Sequence, residues 1–250
     1  MSQFAAQRAF MMSNFPDLDR IESDQKLGRP QPPLEKPVPE GARTIALPAP
    51  DPAVLTERDV HACLRRRRSR RSWVEGALTL EQLSFLLWAT QGVQRVFGRN
   101  YSTFRPVPSG GARHPFETYL AVNRVGGLTT GIYRYLPLTH ALISIREAVD
   151  LARSVNDAAL GQTFVGDAPV VFFWTCLPYR GEWRYHVAAH KIMLLDAGHL
   201  CQNLYLACEA MGCGTCAVAA YDQRLTDTLI GVDGADEFVV YLAPVGKVKR

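Results

Sequence analysis

Val187-Ala-Ala-His-Lys-Ile-Met-Leu-Leu-Asp-Ala-Gly-His-Leu-Cys-Gln-Asn-Leu-Tyr-Leu-Ala-Cys-Glu-Ala-Met211, closed by Gly212, is the longest helical pattern in the chain. Apolar residues fall on nearly all its sides, which predicts a helix buried in the middle of the molecule. Just ahead, Pro169 precedes Val170-Val-Phe-Phe-Trp-Thr-Cys176, a continuous apolar run of strand length. Such a run suits a central strand covered on both faces.

Working outward, the chain between about 118 and 145 has the period and punctuation of a meander. Thr118 to Val122 predicts one strand, Gly126-Gly127 a turn, Gly131-Ile-Tyr-Arg-Tyr135 a second strand and Ala141 to Ile145 a third. Leu151 to Leu160 and Asp222 to Ile230 predict helices, and Phe238 to Leu242 a last strand. Upstream, Thr79-Leu-Glu-Gln82 is a capping box with Leu78 and Leu83 as its staple and Gly92 as its end. An earlier helix is expected from an N-cap at Thr56, with Val60, Cys63 and Leu64 as its apolar stripe. The class is α+β: a mainly antiparallel sheet with helices packed on it. Seven prolines between Pro30 and Pro50 break regular elements. Residues 1–52 are therefore expected to be an extended arm that wraps a surface with Phe4, Phe10, Met11, Met12 and Phe15, and residues 53–250 the globular domain.

Composition excludes several classes. The 250 residues are 47% hydrophobic and 21% charged, ordinary for one globular core. No apolar run approaches the roughly 18–20 residues of a membrane span. The first residues lack a basic region followed by an apolar one, so a cytoplasmic protein is expected. The formal charge of +4 is local: Arg65-Arg-Arg-Arg-Ser-Arg-Arg71 holds six arginines, and the remainder carries −2. A focused charge suits a small anion better than nucleic acid, which needs a broad basic face. The six cysteines do not suggest a disulfide framework in that compartment. Cys213-Gly-Thr-Cys216 stands alone, without a second ligand pair, and no metal is expected at it or at His186 and His190. There is no phosphate-binding P-loop, dinucleotide-binding glycine fingerprint or nucleophile elbow.

Three segments offer chemistry. Guanidinium groups and a hydroxyl in Arg67-Arg-Ser-Arg-Arg71 match the oxygens of a phosphate monoester, and alternation in an extended segment would aim Arg67, Ser69 and Arg71 the same way; the bland alternative is a solvated basic helix end. Pro108-Ser-Gly-Gly-Ala112 lets backbone approach a ligand closely, or is an ordinary turn. The small residues after Gly212 leave a flat backbone surface against which a planar ring could lie.

In this order and spacing, Arg67–Arg71, Leu83–Gly92, Pro108–Ala112 with Tyr119–Val122, Gly131–Tyr135, Asp196–His199 with Gln202–Leu204, and Met211–Thr215 resemble the nitroreductase superfamily. They are most similar to its SagB-type (thiazoline/azoline oxidase-like) dehydrogenases. The resemblance covers about residues 59–246. It implies a homodimer of nitroreductase-like fold around the long central helix, with FMN at the interface and ping-pong hydride transfer. Arg67, Arg68 and Ser69 would be phosphate and ribityl ligands. Arg71 would lie beside the flavin pyrimidine, where a cation stabilises the charge of the reduced ring. Pro108, Ser109, Gly110 and Ala112 would reach the flavin from the other subunit. Gly214, Thr215, Cys216, Ala217, Val218, Ala219 and Ala220 would back the ring, and Lys247 and Lys249 would replace basic residues beyond the last strand. Arg184-Tyr185 stand where azoline dehydrogenases show Lys-Tyr. Arginine stays charged and accepts protons poorly, which leaves Tyr185 for that role. The implied substrate is a heterocyclic, amino-acid-derived or peptide-derived compound. The alternatives are an NAD(P)H-dependent nitro or quinone reductase and a non-catalytic FMN- or partner-binding subunit of a peptide-modifying complex.

Overall fold

The computed structural model describes residues 3–13 and 15–249. Its centre is a seven-stranded sheet in the order β1-β6-β5-β4-β7-β9-β8, with every named neighbour antiparallel. The strands are β1 (Thr44–Ala46), β4 (Phe116–Val122), β5 (Gly131–Leu136), β6 (Ala141–Glu147), β7 (Val170–Cys176), β8 (Cys213–Thr215) and β9 (Phe238–Lys247). A separate hairpin pairs β2 (Arg95–Phe97) with β3 (Ser102–Phe104). The helices are α1 (Ala5–Met11), α2 (Phe15–Leu18), α3 (Val60–Arg66), α4 (Leu80–Gln91), α5 (Leu151–Ala158), α6 (Thr163–Gly166), α7 (Tyr179–Tyr185), α8 (Ala189–Met211) and α9 (Gln223–Ile230).

Strand β7 explains its own composition. Phe172 and Trp174 face a core shared with α4 and α8, while Val171 and Phe173 face a second core with α5 and α9. All seven residues of β7 are buried, as a strand sandwiched between two helical layers requires. On the first face, Leu83, Leu86 and Leu87 of α4 meet Leu200, Leu204 and Cys208 of α8. On the second, Leu151 and Val155 meet Leu229 and Ile230.

The capping box at Thr79 and Gln82 forms in both directions. The first helix after the arm begins later than Thr56 would have it. Asp59 is the N-cap, accepting from the His61 amide, while the Thr56 amide donates to Ala210 O. Of its expected stripe only Cys63 is buried; Val60 and Leu64 are exposed. Residues before Pro52 also hold more regular structure than their prolines suggest. Helices α1 and α2 precede the proline cluster, and β1 pairs with β6 along the sheet edge. Helix α8, 23 residues and about 34 Å long, buries one side against the sheet and α4. Along its other side Leu194 (49% exposed) and Leu195 (56%) open to solvent with Gly198, His199 and Gln202.

Candidate active site

The arginine run leaves α3 at Arg67, whose backbone turns extended, and then passes the edge strand β8. Ser69 bridges Thr215 in parallel, and the Arg70 amide donates to Thr215 O at 2.9 Å. Neighbouring carboxylates sort the arginines. Arg66 pairs with Glu57 (2.8 Å) and Arg70 with Glu209 (3.7 Å). Among the described residues, Arg67, Arg68 and Arg71 have no carboxylate partner. Arg67 lies over the ring of Tyr205 on α8 at 5.1 Å, and the Ser69 hydroxyl meets the Tyr205 hydroxyl at 3.0 Å. That same hydroxyl accepts from the Ala217 amide at 2.8 Å. Tyr205 thus ties the arginine segment to the stretch after β8, although nothing local in the sequence distinguishes it from a packing aromatic.

The structure does not bring all the expected phosphate ligands together. Arg71 departs from the alternation expected of it: its guanidinium lies 5.9 Å from the Phe164 ring, on the opposite face of the sheet from Tyr205. The segment rounds the sheet edge between Ser69 and Arg71, so alternate residues no longer share a side. Lys247 ends β9 opposite Cys213, its stem passing Gly76, and Lys249 is exposed. Gly214, Thr215, Cys216 and Val218 are buried, Ala217 is half-buried, and Ala219 and Ala220 are exposed. Val218 exchanges backbone hydrogen bonds with Leu242.

A second cluster forms nearer the other end of α8. Asp196 accepts from the Ser109 hydroxyl (2.6 Å) and the Gly110 amide (3.2 Å), and Ser109 Oγ accepts from the His114 amide (2.9 Å). Burial raises the Asp196 carboxyl above the usual aspartate range, opposed by those two donors. Pro108 and Ala112 flank this loop, and Arg184 and Tyr185, at the end of α7, lie directly on it. A Cβ on Gly111 would sit 2.6 Å from the Tyr185 hydroxyl and 2.9 Å from Arg184 Nε, and Gly111 has φ +58°. Only glycine allows both the backbone conformation and this approach. The expected catalytic pair and the expected second-subunit loop are therefore one unit, pinned by Asp196. Nine residues separate Asp196 from Tyr205, or about 13 Å along the helix. The open stripe begins at Leu194 and Leu195, just ahead of Asp196, and continues through Gly198, His199 and Gln202 toward Tyr205.

The sequence of residues 64–247 matches the Nitroreductase family model. The chain belongs to the nitroreductase family. Its membership makes it an oxidoreductase, and members of this family typically bind FMN. It is 33% identical over 205 residues to MJ1384 of Methanocaldococcus jannaschii, a protein named for nitroreductase, covering 82% of this chain and 97% of that one. It is 28% identical over 133 residues to the trifolitoxin-processing protein TfxB of Rhizobium leguminosarum bv. trifolii, covering 52% and 36%. A solved structure from Ralstonia eutropha, also named for nitroreductase, superposes with a TM-score of 0.68 at 27% identity over 88% of this chain and 95% of that one. No helix among the described residues is long and apolar enough to cross a membrane.

The residues present fit a flavin phosphate. Arg67 and the Ser69 hydroxyl meet at Tyr205, and among the described residues neither Arg67 nor the adjacent Arg68 has a carboxylate partner, giving a donor set suited to a dianion.

Proposed function

We propose that this family member is an FMN-dependent dehydrogenase of the SagB type, acting on a heterocyclic or amino-acid-derived substrate, with each site completed by two copies of the chain. The observation that carries this reading is the division of the site. The phosphate-binding donors gather at Tyr205, and the Arg184–Tyr185 unit gathers at Asp196. About 13 Å of helix separates them, and an uncovered leucine stripe lies alongside. A second copy docked along that stripe would bring the first cluster of one chain to the second cluster of the other.

FMN, when bound, would supply two-electron redox chemistry, taking a hydride equivalent from the substrate and passing the electrons on to dioxygen or another acceptor. The chain's own residues do the rest. Arg67, Arg68 and Ser69 hold the phosphate. The Ser109–Ala112 loop excludes water, and Tyr185 provides a hydroxyl that can take or give a proton. The likeness to TfxB, a processing protein, supports a peptide-derived or amino-acid-derived substrate. The likeness to MJ1384 favours a second reading, reduction of nitro or quinone compounds by NAD(P)H.

The visible spectrum of the purified protein, with chromatography of the cofactor released on denaturation, tests the cofactor. About one FMN per chain is expected, and a colourless protein that also rejects added FMN would overturn the proposal. The paired change Arg67→Ala with Ser69→Ala removes two donors and should weaken FMN binding by about a hundredfold or more. Stopped-flow mixing with NADH and NADPH separates the two substrate readings: rapid bleaching by either coenzyme supports the reductase, and no bleaching supports the dehydrogenase.

A further inference from the structure

Arg184 stands in an unusual setting. Its Nη1 donates to the Tyr101 hydroxyl at 2.8 Å, and its guanidinium lies 5.4 Å from the Tyr185 ring. Tyr101 also accepts from Gln25 Nε2 at 2.9 Å, so the arm holds it from the other side. Phe15 packs edge-on against Tyr185, centroids 6.0 Å apart, and closes the aromatic wall. A second arginine lies beside the first. Arg113 sits 4.6 Å from the Tyr101 ring and 5.5 Å from Trp183, and donates to Gly111 O and Tyr101 O. Burial, and after it the like charge of Arg184, push Arg113 below its ordinary value.

Among the described residues, neither arginine has a carboxylate partner. The nearby acids are engaged elsewhere: Asp196 holds Ser109 and Gly110, and Glu182 holds His190. Two like charges held close together, Arg113 buried and Arg184 half-buried, repel each other, and an anion is what would relieve them. Arg184 makes no hydrogen bond besides the one to Tyr101 among the described residues, so the rest of its planar fork remains available. A flat fork between aromatic rings matches a planar carboxylate, presented bidentately, better than a tetrahedral phosphate.

We propose that Arg184 binds the carboxylate of the substrate and that Tyr101, braced by Gln25 of the arm, is its positioning residue. Resting on the FMN-dehydrogenase reading, this narrows the substrate to a small heterocycle carrying a free carboxylate, as opposed to a ring embedded in a peptide chain. Arginine in place of a lysine then exchanges a proton-transfer role for an anchoring one.

Isothermal titration of the FMN-loaded protein with benzoate, benzamide and phenyl phosphate tests this. Benzoate should bind at least about tenfold more tightly than benzamide, the difference expected for one charge-assisted contact, and more tightly than phenyl phosphate. Arg184→Gln should abolish the preference, and Arg184→Lys should keep part of it. Tyr101→Phe retains the ring under Arg113 but frees Arg184. It should weaken benzoate severalfold and leave benzamide unchanged, whereas a general structural defect would weaken both. Equal binding of benzoate and benzamide, binding of neither, tighter binding of phenyl phosphate, or a preference that survives Arg184→Gln would overturn the proposal. The cofactor content of the same samples separates the two ideas, because FMN-loaded protein without carboxylate preference refutes only this one.

Discussion

Asp196 shows how one buried carboxylate can organise a loop. It holds Ser109 and Gly110, and through them the backbone on which Arg184 and Tyr185 rest. Because burial raises its folded-state pKa, the folded protein binds its proton more tightly than the unfolded chain does. Its contribution is therefore fully present below the ordinary aspartate pKa and is lost as pH rises through the folded value. Asp196→Asn keeps an acceptor for the Gly110 amide and removes the titration. Across that window the urea midpoint of the natural protein should fall more, or rise less, with rising pH than that of the variant, and identical pH profiles would refute the assignment. Gly111→Ala adds strain at φ +58° and a Cβ at the Tyr185 hydroxyl. It should cost about 1–2 kcal/mol of stability by urea titration. These glycines are conspicuous in the sequence because paired glycines mark backbone that other residues rarely adopt, as Gly111 does at φ +58°. Asp196 and Tyr205 were not, because a buried helix uses acids and aromatics for packing as readily as for positioning a site.

At the scale of elements, the arm is latched by the sheet's interior. Glu117 on β4 pairs with Arg180 of α7 at 2.5 Å, both almost fully buried, and also accepts from the Lys36 amide at 2.9 Å. Arg134 on β5 donates to the carbonyls of Lys36 and Pro37, and Ser84 on α4 donates to that of Pro48. Glu117→Ala should leave Arg180 buried and unpaired and cost about 3–5 kcal/mol, read from denaturant midpoints. It should also expose the arm to limited proteolysis near Lys36, and an unchanged digestion pattern would show that the latch does not hold the arm. This latch explains why the arm was the least legible part of the fold. Its strand β1 owes its place to partners about 100 residues away, whereas β7 and the capping box of α4 announce themselves by local composition. The hairpin β2–β3 escaped for a related reason: it is short, and Val96, Phe97 and Phe104 are exposed, so no burial pattern marks it.

For the whole molecule, the deciding quantity is the apolar surface a single chain leaves uncovered. Leu194 and Leu195 on α8, Val60 and Leu64 on α3, and Phe97 and Phe104 on the hairpin are each between 49% and 65% exposed. Leaving large apolar side chains in water forfeits about 1.5–3 kcal/mol for each one that a partner would fully bury. A helix whose sequence is apolar on nearly all sides yet buried on only one is the form expected of an interface helix. Sedimentation should therefore give twice the 27.8 kDa chain mass at micromolar concentration. Leu194→Asp with Leu195→Asp should place four carboxylates across a two-fold contact and shift the protein to monomer. Each cluster of residues stays intact within its own chain, so the folded monomer should retain its circular dichroism. It should nonetheless lose FMN, because the donors proposed to hold the phosphate and the Arg184–Tyr185 unit would no longer meet. A variant monomer that binds FMN as tightly as the natural protein would show that one chain completes the site alone.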